Sequence, residues 1–286
     1  MSNAHILPSG DHVVIEKSVN LVPWRLRHWI RSIPGIAKMQ REFFMHCIGE
    51  RQFEHHINAG PASGLKYLVD LPQDKLIWTG TYESEVATKI RDEVIPGKAC
   101  FDIGAHRGFL SGVMAVAGAS EVHCFEPNPA NLEQLKSLGD LNKQYKFVIH
   151  EMAIGNHSGT VEFLLMNKSN MGKMRESTFQ PNASEAAKLT VQACRLDDLI
   201  ANGVVPPPGL IKIDVEGAES LVLEGGTNLL KMHRPNIVLE AHSQHLASKC
   251  LSQLQQIGYK IEELCENTTI KPSADETTSH WLGRAA

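Results

Sequence analysis

Phe101-Asp102-Ile103-Gly104-Ala105-His106-Arg107-Gly108 is the stretch on which the fold of this chain turns. The apolar run leading into it, Ala99 to Ile103, has the length and texture of a buried strand, and the run leaving it, Phe109 to Ala117, reads as a helix. Glycines between them let the backbone turn sharply and approach a ligand closely. The spacing is D-x-G-x-x-x-G. It lacks the G-x-G-x-x-G of dinucleotide folds and the G-K-[ST] of a P-loop, so a triphosphate cradle is not expected. Taken alone, the run also fits a plain tight strand–helix turn.

Outward from the turn, a second strand, Glu121 to Phe125, ends at Glu126-Pro127, and a helix covers Pro129 to Leu138. In doubly wound sheets an acid at such a strand end accepts hydrogen bonds from ribose hydroxyls, at the switch point where ligands bind. A solvated strand-end carboxylate is the alternative. Turn, spacing and strand end together favour a nucleoside ligand. Further strands are expected at 146–150, 160–166, 189–193, 210–214, 236–240, 259–264 and 280–283. Helices are expected at 83–94, 196–201, 218–224 and 245–257, and 167–184 reads as a polar loop. This alternation predicts an α/β fold with a parallel sheet and crossover helices.

Before residue 80 the periodicity is irregular, with helical segments around 22–33 and 39–57 parted by Pro34-Gly35. The expected division is a helical N-terminal extension over 1–79 and a ligand-binding domain over 80–286. Within the extension, Trp24-Arg25-Leu26-Arg27-His28-Trp29-Ile30-Arg31 is basic, aromatic and amphipathic. It either packs its tryptophans on the domain or touches a membrane surface through 22–33.

The 286 residues are 42% hydrophobic and 21% charged, an ordinary globular composition. The net charge of −4 and the 6% aromatic content count against a nucleic-acid binder or a base-stacking platform. No apolar run approaches the roughly 20 residues of a membrane span, and no basic-then-apolar leader is seen. The six cysteines form no CxxC pair, so a reducing, cytoplasmic setting is expected, with Cys100 and Cys124 as buried small hydrophobes.

A third signal is Ile211-Lys212-Ile213-Asp214-Val215-Glu216-Gly217-Ala218-Glu219. An apolar strand carries a lysine and then delivers acids at the same edge as Gly104 and Glu126. Lys212 reads equally as half of a structural ion pair or as a site residue. Glu219 falls in the first turn of the next helix, where the dipole favours an acid whether or not it has a site role. Glu240-Ala241-His242 reaches the same edge from strand 236–240. His242 therefore joins Asp214 and Glu216 as a candidate base, or stands only as a helix-start residue before Ser243. His242 and His245 lack a third partner at a telling spacing, so no metal is expected.

The run Asp102 to Gly108, Phe125-Glu126-Pro127-Asn128-Pro129, Ala153-Ile154-Gly155, Arg195-Leu196-Asp197-Asp198-Leu199 and 211–219 together resemble the FkbM-type family of S-adenosylmethionine-dependent methyltransferases, over about 82–264. The resemblance implies a Rossmann-like class I methyltransferase fold: a seven-stranded, mostly parallel sheet with helices on both faces. It implies S-adenosylmethionine as cofactor and O-methylation of a hydroxyl on a small molecule or saccharide. By the same resemblance Asp102, Gly104, Ala105, Gly108, Glu126, Met152, Ala153 and Asp214 bind the cofactor. Glu126 takes the ribose, Glu151, Met152 and Ala153 border the adenine, and Asp214 lies near the methionine amino group or the reacting centre. Catalysis falls to Asp214, Glu216 or His242. A nicotinamide-dependent oxidoreductase and a non-catalytic binding module are the alternatives, and a homo-oligomer is compatible with the unassigned first 79 residues.

Overall fold

The structure, a computed structural model, describes residues 51–71, 74–78, 82–165, 172–174, 187–264 and 278–285. It divides into two compact units, Met1–Ile57 with Lys66–Tyr82, and Asn58–Leu65 with Glu83–Ala286.

In the first unit, β1 (Arg51–His56) and β2 (Lys66–Leu71) pair antiparallel, from Arg51 opposite Leu71 to His56 opposite Lys66. Tyr67, Val69 and Leu71 alternate inward along β2. A short helix, α1 (Lys75–Trp78), places Trp78 edge-on to Phe53, 6.0 Å between ring centres. This corrects the helical reading of 39–57 over its last part. Arg51-Gln52-Phe53-Glu54-His55-His56 carries no apolar stripe at helical spacing, and pairing with β2 satisfies its backbone instead. Residues 1–50 of the expected extension, including the 22–33 segment, lie outside the described residues.

The second unit begins with α2 (Ser84–Glu93), β3 (Ala99–Ile103), α3 (Phe109–Val116), β4 (Val122–Phe125), α4 (Pro129–Leu141) and β5 (Phe147–His150). β6 (Ala153–Ile154), β7 (Gly159–Leu165), β8 (Gly172–Met174), β9 (Ala187–Cys194) and α5 (Leu196–Ala201) come next. Then come β10 (Pro208–Ile213), α6 (Glu219–Gly225), α7 (Thr227–His233), β11 (Asn236–Ala241), α8 (Gln244–Gln256), β12 (Tyr259–Glu263) and β13 (Ser279–Ala285).

The main sheet has seven strands in the order β12-β13-β11-β10-β3-β4-β5. β11, β10, β3, β4 and β5 run parallel, and β13 lies antiparallel between β11 and β12. This is the expected doubly wound architecture. Strands β3, β4 and β10 are buried along their whole length, which is why they read as apolar runs broken only by Asp102, His123 and Lys212. The core packs Phe101, Phe125, Ile211, Ile213 and Leu239 against helix residues such as Val222, Leu246 and Leu254. α4 starts on Asn128, whose side chain accepts from the Ala130 N–H at 3.1 Å, with Pro129 in its first turn. α8 starts on Ser243, which accepts from the Leu246 N–H at 3.2 Å.

A second sheet, ordered β6-β9-β7-β8, was not expected from the sequence. It buries Ala153, Val161, Phe163, Val191 and Ala193 with Ala218. β8 also falls inside the stretch read as a loop, 167–184; 166–171 and 175–186 lie outside the described residues. The free cysteines among the described residues include Cys100, Cys124 and Cys250, all fully buried. Burial pushes the Cys100 and Cys250 thiols up to about 12.

Candidate functional site

The chain leaves β3 towards β4 and β5 on one side and later returns through β10 and β11 on the other. The strand order therefore reverses between β3 and β10, and the crevice outside their carboxyl ends is where an open α/β sheet takes its ligand. Four adjacent strands, β4, β3, β10 and β11, deliver Glu126, Gly104, Asp214 and His242 to that edge.

Gly104 has φ +78, and a Cβ added there would lie 1.8 Å from the Asp214 carbonyl oxygen, so the turn is pressed directly on β10. The Gly104 and Ala105 N–H groups both donate to the Phe125 carbonyl, at 3.0 and 3.1 Å. Gly108 has φ +85 at the start of α3, and an added Cβ would meet Leu135 at 2.5 Å. Between them His106 holds φ +51, a conformation uncommon outside glycine. Its N–H donates to Glu126 Oε2 at 2.7 Å, while the Asn128 N–H donates to Glu126 Oε1 at 2.8 Å. The Glu126 carboxylate thus joins the turn to the end of β4. It is 5% exposed, and burial raises its pKa against the pull of those N–H donors. Burial lowers His106 to about 4, leaving it neutral near pH 7.

Asp102 is fully buried. Its Oδ2 accepts from Ser111 Oγ at 2.5 Å and its Oδ1 lies 3.2 Å from Lys212 Nζ. Its carboxylate is thus enclosed between Ser111 on α3 and Lys212 on β10, directly beneath the turn.

On the other side of the turn, Asp214 Oδ1 and Glu216 Oε2 stand 3.6 and 3.4 Å from His242 Nε2. The buried Glu219 Oε1 accepts on the far side of the ring, 3.0 Å from Nδ1, and also takes the Gly217 N–H at 3.0 Å. Glu240 Oε1 lies 3.7 Å from Nε2, and Glu240 Oε2 lies 3.1 Å from His280 Nε2. Burial works against a charged His242, but Glu219, Asp214 and Glu216 outweigh it and push its pKa up to about 10. Burial resists ionisation of Asp214 too, yet Lys212 and His242 hold its carboxyl below the usual range. Glu216, at φ +54 before Gly217, is pushed up to about 7 by burial and by the acids around it. Near neutral pH His242 is therefore a charged partner of its carboxylates, and Glu216 is the group poised to exchange a proton. Asp214, Glu240 and His242 offer ligand atoms within 4.8 Å of one another and have the donor types of a divalent-cation site. A protonated His242 cannot ligate, so a cation there would compete with the ring proton.

The structure thus brings Gly104, Ala105, Glu126, Asp214, Glu216 and His242 to one edge. Met152 and Ala153 follow the carboxyl end of β5 (Phe147–His150). Met152 packs on the main core, and Ala153 is 5% exposed in the core of the second sheet. Glu151 is exposed and pairs with Lys136 at 2.6 Å. Glu240 and His280 were not singled out from the sequence. Glu240 carried a usable signal, being the polar end of an apolar strand two residues before His242. His280 carried none, because its place depends on β13 folding back beside β11.

A doubly wound α/β protein with an acid-rich crevice at its switch point is the class defined by this fold and site. The profile of the methyltransferase FkbM domain matches residues 102–264, more than half of the chain, and the chain belongs to that family. It is 26% identical over 161 residues, 56% of its length, to the hexuronic acid methyltransferase AglP of Haloferax volcanii, of which it covers 63%. It is 30% identical over 155 residues, 50% of its length, to the 2-O-methyltransferase NoeI of Sinorhizobium fredii, of which it covers 61%. The chain therefore spans less than two thirds of either relative. Among solved structures, a methyltransferase FkbM from Methylobacillus flagellatus KT aligns at TM-score 0.45 and 18% identity, over 73% of this chain and 52% of that one. Among the described residues, no helix is long and apolar enough to cross a membrane.

Proposed function

We propose that this chain is an S-adenosylmethionine-dependent O-methyltransferase acting on a saccharide hydroxyl, with its catalytic unit at 80–286. The observation that carries the reading is the placement of Glu126 and the Asp214–Glu216–His242 cluster on either side of the Gly104 turn, at one strand edge. Membership of the FkbM family supports the reaction. The printed activities of AglP and NoeI support a hydroxyl on a sugar.

The donor set suits the cofactor. The Glu126 carboxylate accepts the His106 and Asn128 N–H groups and a hydrogen bond from the Asn131 side chain, which leaves about one of its four acceptor sites for a ribose hydroxyl. Asp214, held anionic, suits a cationic ligand end. When bound, S-adenosylmethionine supplies a methyl group already activated on a sulfonium, so the protein's main task is placement of the attacking oxygen. In this reading Glu216 accepts the acceptor hydroxyl proton, its pKa near 7 matching that task. The His242 imidazolium holds Asp214 and Glu216 in place, and Glu219 fixes the ring through Nδ1.

Calorimetry with S-adenosylmethionine, S-adenosylhomocysteine and NAD tests the cofactor. A panel of glycosides, with and without hexuronic acid units and carrying labelled methyl transfer as readout, tests the acceptor. Binding of the two sulfur compounds and methyl transfer to a sugar hydroxyl are expected. Preference for NAD overturns the reading, and binding without transfer to any acceptor reduces it to a binding module.

A further inference from the structure

We propose that Lys212 is a positioning residue that locks the Gly104 turn to the acidic end of β10 and so sets the two walls of the crevice against each other. The inference rests on the reading of that crevice as the S-adenosylmethionine site. Lys212 lies inside β10, in a strand buried throughout, where an ammonium is retained only with partners. It has three. Nζ donates to the Gly104 carbonyl at 2.8 Å, lies 3.2 Å from Asp102 Oδ1, and lies 3.4 Å from Asp214 Oδ2. One ammonium thus hydrogen-bonds the turn after β3 and forms ion pairs with carboxylates on β3 and at the end of β10.

A structural pair needs only the first neighbour, Asp102, which faces Lys212 across the β3–β10 ladder. The other two contacts reach the site. The contact to Gly104 holds the carbonyl of the residue that packs on Asp214. The contact to Asp214 draws Oδ2 inward, leaving Oδ1 towards His242 Nε2. Burial opposes the lysine charge, but Asp102 and Asp214 overcome it and keep the amine protonated. One buried cation therefore orients the Asp214 carboxylate and clamps the turn, without itself facing the crevice.

The test compares Asp102→Asn with Lys212→Met/Asp102→Asn. The double variant removes the amine without stranding the Asp102 charge in the core. Folding is read by circular dichroism and a cooperative melt, and affinity by calorimetry with S-adenosylhomocysteine. The double variant is expected to fold and to bind at least about tenfold more weakly than Asp102→Asn. Lys212→Gln/Asp102→Asn, which keeps a donor in the same place, is expected to fall between them and replaces the methionine variant if that one does not fold. Affinity equal to that of Asp102→Asn in the folded methionine variant, or in the glutamine variant where only that one folds, overturns the proposal. Failure of the wild-type chain to bind S-adenosylhomocysteine overturns instead the cofactor reading beneath it, and the proposal with it.

Discussion

Glu216 sits between two influences that fit it for proton exchange. Burial and nearby carboxylates raise its pKa to about 7, while His242 at 3.4 Å pulls the other way. With Glu216 as the base, kcat/KM is expected to rise through about pH 7 as it loses its proton. Glu216→Gln should remove that limb and lower turnover by roughly 10²–10⁴-fold. A pH–rate profile unchanged in Glu216→Gln would move the base elsewhere. Gly104 makes a sharper demand, because a Cβ there would lie 1.8 Å from the Asp214 carbonyl oxygen at φ +78. Gly104→Ala is expected to cost at least about 2 kcal/mol in urea unfolding, since strain and backbone displacement add. A loss below about 0.5 kcal/mol would mean that the turn yields easily. Both residues stand in runs that were conspicuous in the sequence. The values that matter here, a carboxyl near 7 and an imidazole near 10, were not legible, because they arise from side chains that the ends of β10 and β11 and the start of α6 bring together.

At the scale of elements, Asp197 shows what a short motif does. It lies in α5, is 9% exposed, and accepts from the Leu229 N–H at 2.8 Å and the Asn228 N–H at 3.1 Å. An acid 31 and 32 residues upstream thus caps the first turn of α7, a helix the sequence reading passed over. The capping rules expect the cap just before the helix, and here it comes from another element. Asp197→Ala should therefore lower stability by about 1–3 kcal/mol and leave S-adenosylhomocysteine affinity within about threefold. Ser243→Ala, which removes the local cap of α8, should cost about 1 kcal/mol. Equal losses for the two in urea titrations would argue against the double cap on Asp197. The legible elements were those with local signals: β3, α5 and β11 begin at the expected residues, and α4 and α8 carry their own caps. β6 and β8 were missed because strands of 2 and 3 residues have no periodicity to read.

For the whole molecule, the cluster makes stability depend on pH. His242 goes from about 6.5 when unfolded to about 10 when folded, so the stability its ion pairs contribute is complete below about pH 6.5 and is lost as pH rises through 10. Glu216, raised from 4.5 to about 7, binds its proton more tightly folded than unfolded, so stability also falls between those values. The melting temperature is expected to decline from about pH 5 to 10, and His242→Gln should flatten the part above pH 7. A wild-type melting temperature constant from pH 7 to 10 would show that His242 is not held charged. By itself the sequence determined the parallel α/β order, the glycine turn and the acids at its strand ends, because strand burial and sharp turns leave local marks in residue type and spacing. Only the tertiary structure decided that Asp102 supports the turn from within. It alone revealed that Lys212 joins two walls of the crevice, that His242 is encircled by acids, and that Ala153 is buried in the core of the second sheet. These properties depend on distances between residues far apart in the chain, which no local pattern encodes.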